Sequence, residues 1–590
     1  MVLGDEEGRT VPRWCAALCA SCLGAAFLFV FLLVVLVSPF VSYNSKRLLA
    51  APSFVLVLPG LVAVGLGVWR LAARRASLGQ GGAARRVTRR RGRSVVVATI
   101  VLAVLQALLI SVYRFSTGWD VRMVSESAWT LAHGLALDDS AVTYFQIYPN
   151  NMALLWVSTA CMRLALALGA TSLGAGEMVF SVLNCLVQAV AALALHATVR
   201  RLLGEPYALV GWGLLEAICL LSPWASIPYS DALALAVPSL TAWCYVGAYE
   251  GQAAPGGTVR LFVCSVACGF VGAVGYKVKP QTSFLLIAIV LIELLMLVVA
   301  LVHVRRAAAV RHGGTLACLA AGVAVALALV GAASSSLALP QHDEWSLGPA
   351  HFLMMGANDV SDGGFLDEDV AYTLSFPDRG ERTRADLARW RERVEAYGPV
   401  GLAQHSVRKL LSTYADGAFA WAAEGGFFLG LETDAVESGT VDQDQVDAVA
   451  AAASDASHPI DRAAVVGAYE DSLRGLVLSV ISSDGVQNRV WASVAQALWL
   501  PVLLFVACAG LPGRGCGNRS GHDSLSTVVL ALVVAMLGLF VFELLFEARA
   551  RYLYSSLPLF VMLAMVGLRR LAGLLATRRA HASLVDSPRP

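Results

Sequence analysis

Runs of about 20 apolar positions recur along most of the 590-residue chain, separated by short polar stretches. A helix needs about that many apolar residues to cross the hydrocarbon core of a bilayer, where every backbone group must be paired within the helix itself. Such runs lie at 14–37, 51–69, 94–113, 150–168, 177–199, 207–222, 229–249, 258–276, 281–302, 313–335, 490–509, 524–546 and 553–571. The pattern predicts an all-α polytopic membrane protein with about 12 or 13 apolar helices. It breaks once at length, over 336–489, and again in a polar tail at 572–590. Five parts follow: an N-terminal hairpin with a basic loop (1–93), a transmembrane body (94–335) whose first loop is 114–149, an insertion (336–489), C-terminal transmembrane helices (490–571) and the tail.

Inside the insertion, RTRADLARWRERVEAYG has helical periodicity and should stop at Gly398-Pro399. The run VGLAQHSVRKLLSTYADGAFAWAA reads as an amphipathic helix at the membrane interface, with Trp421 as an anchor. Residues 433–465 are rich in Ala, Asp and Ser and are expected to be mobile, and the tail to be disordered. The insertion is therefore expected to be mainly helical.

Composition agrees with the pattern: 57% of residues are hydrophobic, 15% are charged, and the mean hydropathy is +0.67. The first run lacks the small-residue cleavage site of a secretory signal, so an uncleaved helix is expected. Most of the 12 cysteines fall inside apolar runs, where a thiol is a small hydrophobe, and they form no zinc or disulfide spacing.

Charge sets the expected sidedness. Residues 70–93 hold nine arginines and no acid, whereas 336–489 hold 25 Asp plus Glu against 11 Lys plus Arg. The positive-inside rule places the arginine loop and the C-terminus in the cytoplasm and the acidic insertion outside a plasma membrane. A short basic loop of this kind is a topology signal, and no nucleic-acid partner is expected. Counting crossings from both ends then gives a mismatch of one between Asp120 and Arg200. Either 150–168 or 177–199 does not cross fully, and the suspect is 150–168, because it opens on YFQIYPNN.

The same count brings several ionisable residues to the outer face, where charge at the end of an apolar run is costly and so a candidate for function. Asp120 follows Trp119 just past a span, suited to take a proton from a hydroxyl or to cap the next helix. Asp231, in YSD, repeats the theme. In YKVKP, an extended Lys277-Val-Lys279 would turn both ammonium groups one way, before the helix that begins at Pro280. In EARARYLY, Arg549, Arg551 and Tyr552 suit a phosphate. Tyr148, Asn150 and Asn151 would line the cavity wall, with capping as the plainer role for Asn150 and interfacial anchoring for Tyr144 and Tyr148. Asp138 and Asp139 read as a solvated loop, and His342 and His351 as surface polar residues.

The succession Trp119-Asp120, YFQIYPNN, YSD, K-x-K-P, HFLMMGAND with GGF, and EARARYLY is similar to bacterial membrane glycosyltransferases of the GT-C class. These are related to the protein O-mannosyltransferases of family 39 and to the RgtA/B/C/D-like lipopolysaccharide sugar transferases. The resemblance, over about residues 94–571, implies a GT-C-like helical body, a polyprenyl-phosphate-linked sugar as donor, and an extracytoplasmic protein, polymer or lipid as acceptor. It implies Asp120 as the base and Lys277, Lys279, Arg549, Arg551 and Tyr552 as the donor phosphate site. The O-mannosyltransferases carry an adjacent acidic pair, whereas Val121 follows Asp120 here. No certain cofactor is thus implied, a divalent metal stays open, and inversion at the anomeric carbon is expected. A transporter or lipid-linked glycan flippase is the competing expectation; it would favour inverted repeats, and none is evident.

Overall fold

The computed structural model describes residues 11–41, 50–76, 82–115, 117–253, 256–340, 343–422, 473–482, 486–511 and 523–585. The stretch 433–465 and His342 lie outside the described residues. Among those described there are helices, turns and irregular segments and no strand.

Among the described residues ten helices are long and apolar enough to cross a bilayer. The other three expected spans are shorter. The apolar part of the second is Ser53–Gly67. Met152–Ala167 (16 residues) and Glu205–Leu221 (17 residues) rise only about 24 and 26 Å, against a hydrocarbon core of about 30 Å. Polar punctuation cuts them off: a 3-10 turn Pro149–Asn151 precedes the first, and the second lies between Gly204, with φ 93°, and Ser222-Pro223. Of the two runs whose count does not close, 177–199 belongs to the 31-residue helix Leu173–Leu203 and 150–168 is the short one.

Elsewhere the helices run further than the apolar pattern predicts. The arginine stretch is helical from Gly82 as a leading extension of Gly82–Tyr113, and the described part of the tail, to Val585, continues the helix Leu557–Val585 where disorder was expected. Ala, Leu and Arg are strong helix formers, so helix persists where hydrophobicity ends. The first loop is two helices, Trp119–Ala132 and Asp139–Ile147.

Small residues let the spans approach closely, as membrane helices require in the absence of a hydrophobic drive between them. A Cβ on Gly269 would overlap the Leu319 backbone, and one on Gly322 would overlap the Val266 carbonyl. This fixes Thr258–Val278 against Arg306–Ser335. Buried polar ties add register. Tyr245 donates to Glu293 Oε1 at 2.9 Å, and His312 Nδ1 lies 2.7 Å from Glu293 Oε2.

The insertion begins with Pro349–Met355 and Asp367–Leu374 and continues into Arg379–Tyr414. That last element is two helices across a break at Gly398 (φ 57°, ψ −178°), where the expected stop falls. The segment after it corrects the interfacial expectation, because Trp421 is fully buried. Its ring packs edge-on against Trp224 and Phe115, with centroids 5.9 and 5.5 Å away. Trp224 Nε1 donates to the Phe419 carbonyl at 2.8 Å, and Trp499 Nε1 to that of Tyr414 at 2.8 Å. Phe419 and Ala420 are held at φ 54° and 78° by this packing.

Candidate active site

Gly118 precedes the helix Trp119–Ala132, and Trp119 takes φ 52°, a left-handed conformation that a bulky residue adopts only under constraint. Asp120 therefore stands in the first turn without capping it. Its carboxylate accepts from two tyrosines, Tyr144 Oη to Oδ1 at 2.8 Å and Tyr229 Oη to Oδ2 at 2.8 Å. Asn151 Nδ2 in turn donates to Tyr144 Oη at 2.7 Å. Burial, together with the Asp120 charge, raises both phenols well above their ordinary range, so they stay protonated as donors. Each carboxylate oxygen keeps a lone pair for a further donor.

Beside this network lies a cationic group. The Arg551 guanidinium is 4.4 Å from the Trp119 ring, 5.2 Å from Tyr552 and 5.8 Å from Tyr229. Arg551 is only 6% exposed, and its Nε and Nη1 have no hydrogen-bond partner among the described residues. Buried donors of this kind are costly unless something accepts from them. Tyr552 donates to the Glu547 carboxylate. Lys279 Nζ sits 4.5 Å over the Tyr552 ring and forms a 2.8 Å ion pair with Asp231, whose side chain is fully buried. Asp231, like Asp120, is in the first turn of its helix and does not cap it.

Lys277 departs from its expected placement. It lies in the last turn of Thr258–Val278 and is exposed, whereas Lys279 is buried. Lys279 is the extended C-cap of that helix (φ −152°, ψ 100°), so the segment is not extended through both lysines, and one ammonium is buried while the other stays exposed. Arg549 is half-buried at the head of the 3-10 segment Ala550–Ser556. Tyr148 packs on Tyr144 at 5.1 Å between centroids. Burial, then the charges of Asp120, Glu547 and Asp367, raise its phenol above the ordinary range. Asn150 is exposed and donates to Asn151 Oδ1 at 3.3 Å, and neither asparagine caps Met152–Ala167. Asp138 caps Asp139–Ile147 through Ala141 N at 2.8 Å, and both aspartates are exposed. His351 corrects the surface assignment: it is fully buried, with Nδ1 2.7 Å from Thr373 Oγ1, and burial lowers it to about 4.

The GAND and GGF motifs brace the arginine turn. Asn358 accepts from Ser361 N at 2.8 Å and donates to the carbonyls of Met355 and Gly364 at 2.7 and 2.9 Å, closing the loop. Two backbone bonds join that region to EARARYLY: Glu547 N to Phe352 O at 2.9 Å and Ala548 N to Gly363 O at 3.0 Å. Sequence reasoning singled out neither Tyr144 nor Tyr229 for the site, although each stands inside a quoted motif. Among the described residues no group of three or more His, Cys, Asp or Glu is placed to hold a metal ion.

Ten candidate spans and a buried polar site at one end of the bundle define a polytopic integral membrane protein. The chain belongs to the family described as conserved hypothetical integral membrane protein, whose sequence model matches residues 16–444. No protein of curated function matches it. Among solved structures it is similar to that of ArnT from Cupriavidus metallidurans in the apo state, with 15% identity over 76% of this chain and 77% of that chain and a TM-score of 0.28.

Proposed function

We propose that this protein is a GT-C-type membrane glycosyltransferase, moving a sugar from a polyprenyl-phosphate donor to a hydroxyl acceptor on the extracytoplasmic side of the plasma membrane. The observation that carries the proposal is one juxtaposition. A carboxylate oriented by two tyrosines stands beside a buried guanidinium whose Nε and Nη1 have no hydrogen-bond partner among the described residues. The motif succession supports it.

In this reading Asp120 takes the proton of the acceptor hydroxyl. The resulting oxygen attacks the anomeric carbon from the face opposite the phosphate, the carbon–oxygen bond to phosphate breaks, and the configuration inverts. Polyprenyl phosphate leaves with the electron pair, and Arg551 neutralises the charge that develops on it. Lys279 is committed to Asp231 and holds the Tyr552 ring beside Arg551, with Arg549 at the rim. Tyr148 and Asn151 line the sugar side, and Lys277 reaches only a headgroup outside the pocket.

Arg551→Gln tests the phosphate assignment in full-length protein reconstituted in nanodiscs. Removing a buried charge-assisted contact of about 2–3 kcal/mol weakens binding of undecaprenyl phosphate by about 30- to 150-fold. Undiminished binding contradicts the assignment.

A further inference from the structure

Lys409 lies on the second half of the helix pair Arg379–Tyr414 and is fully buried. A buried ammonium is retained only where fixed acceptors meet it. Its Nζ donates to the Gly356 carbonyl at 2.7 Å and to the Phe546 carbonyl at 2.5 Å. One side chain thus ties three segments: its own helix, the GAND loop, and the turn that leads through Glu547 into Arg549 and Arg551.

The surroundings show how closely this tie is built. The Gly356 carbonyl also receives His405 Nε2 at 3.1 Å, from one turn earlier on the same helix. Tyr397 Oη lies 3.2 Å from His405 Nδ1 and donates to the Ala357 carbonyl at 3.0 Å. Arg393 donates to the Met354 carbonyl at 2.9 Å and grips Asp369 with both nitrogens at 2.9 and 2.6 Å. A Cβ on Gly363 would come within 2.9 Å of Nζ, and one on Gly356 would strike the Leu545 and Phe546 backbone. The charged groups around Nζ are Glu543 and Glu547, with the Arg408–Asp362 pair (2.9 Å) and His405 beside it. Glu543 is 1% exposed, with neither carboxylate oxygen hydrogen-bonded among the described residues, so the two carbonyls are what hold the ammonium.

We propose that Lys409 is a positioning residue: it locks the insertion onto the Phe546–Arg551 turn, so that order in the insertion and anion binding at Arg551 are coupled. The inference rests on the functional reading above for the identity of the anion. Coupling is reciprocal by linkage, so phosphate bound at Arg551 must in turn steady the turn and its partner loop.

The test uses full-length protein in nanodiscs with undecaprenyl phosphate as probe. Lys409→Met keeps the aliphatic stem and removes the donor; binding is expected to weaken at least about tenfold, an order set by loss of a charged hydrogen bond. Wild-type protein supplies a second readout that needs no variant. Hydrogen exchange of the Glu547 and Ala548 amides, whose bonds cross to Phe352 and Gly363, is expected to slow when the phosphate is bound. Ethylammonium added to Lys409→Ala is expected to recover part of the affinity, which a general packing defect would not allow. Unaltered affinity in folded Lys409→Met, or wild-type amides indifferent to the ligand, overturns the coupling. Loss of binding in Arg551→Gln with full binding in Lys409→Met overturns the coupling alone, whereas a wild-type protein that binds no undecaprenyl phosphate overturns both readings.

Discussion

Asp120 has the strongest sequence signature in the chain, an acid just past a span behind a tryptophan, yet its partners lie 24 and 109 positions away. Local pattern shows a titratable group at a membrane end; it does not show which tyrosine reaches it. Lys409 is hidden for the same reason, since KLL inside a run that reads as an amphipathic helix at the membrane interface gives no sign of burial. His351 escapes such a reading because Gly and Asp neighbours suggest a loop, whereas it stands on the helix Pro349–Met355 and is buried against Thr373 of Asp367–Leu374. That burial makes a prediction with a definite sign. The folded-state pKa of about 4 is below the unfolded value of about 6.5, so the unfolded chain takes up a proton first as pH falls. Stability is therefore full above about pH 6.5 and is lost as pH drops towards 4. Wild type is expected to lose about 2 kcal/mol from this group between pH 7.5 and 5. His351→Gln should flatten that part of the profile. Melting curves at the two pH values check it: an equal fall in both proteins contradicts the burial argument.

At the scale of elements, apolar runs revealed the spans and misplaced their ends. Helix propensity carries the chain past the last apolar residue at Gly82–Tyr113 and Leu557–Val585, while Pro and Asn shorten Met152–Ala167. The stop at Gly398 was legible because only glycine takes φ 57° with ease before a proline. Trp421 was not, because an amphipathic pattern does not distinguish a face turned to lipid headgroups from one turned to Trp224. Close helix contact is also invisible to hydropathy. Gly322→Leu would drive a side chain into the Val266 carbonyl and the Phe270 amide, where the backbone cannot yield. Overpacking of this kind costs about 1–3 kcal/mol or more. A melting temperature lowered by several degrees is expected, and a variant as stable as wild type would contradict the close crossing of these helices.

For the whole molecule, the class followed from composition and run length alone, and ten spans stand among the described residues where about 12 or 13 apolar helices were expected. The convergence of Asp120, Asp231, Lys279 and Arg551 at one end was reachable from charge bias, because each lies at a span end on the side that the arginine loop does not occupy. What charge counting could not give was the division of labour: Lys279 is paired with Asp231, Lys277 is exposed, and Arg551 keeps Nε and Nη1 without a hydrogen-bond partner among the described residues, as the proposed phosphate role requires. The central claim is that this pocket transfers sugar from a lipid phosphate with Asp120 as base. Its most direct test is the release of polyprenyl phosphate and the labelling of an acceptor when full-length protein in nanodiscs meets radiolabelled polyprenyl-phosphate sugars. Wild type is expected to turn the donor over, and Asp120→Asn to be slower by about 10²- to 10⁴-fold while still binding undecaprenyl phosphate. Turnover by Asp120→Asn at the wild-type rate would contradict the account.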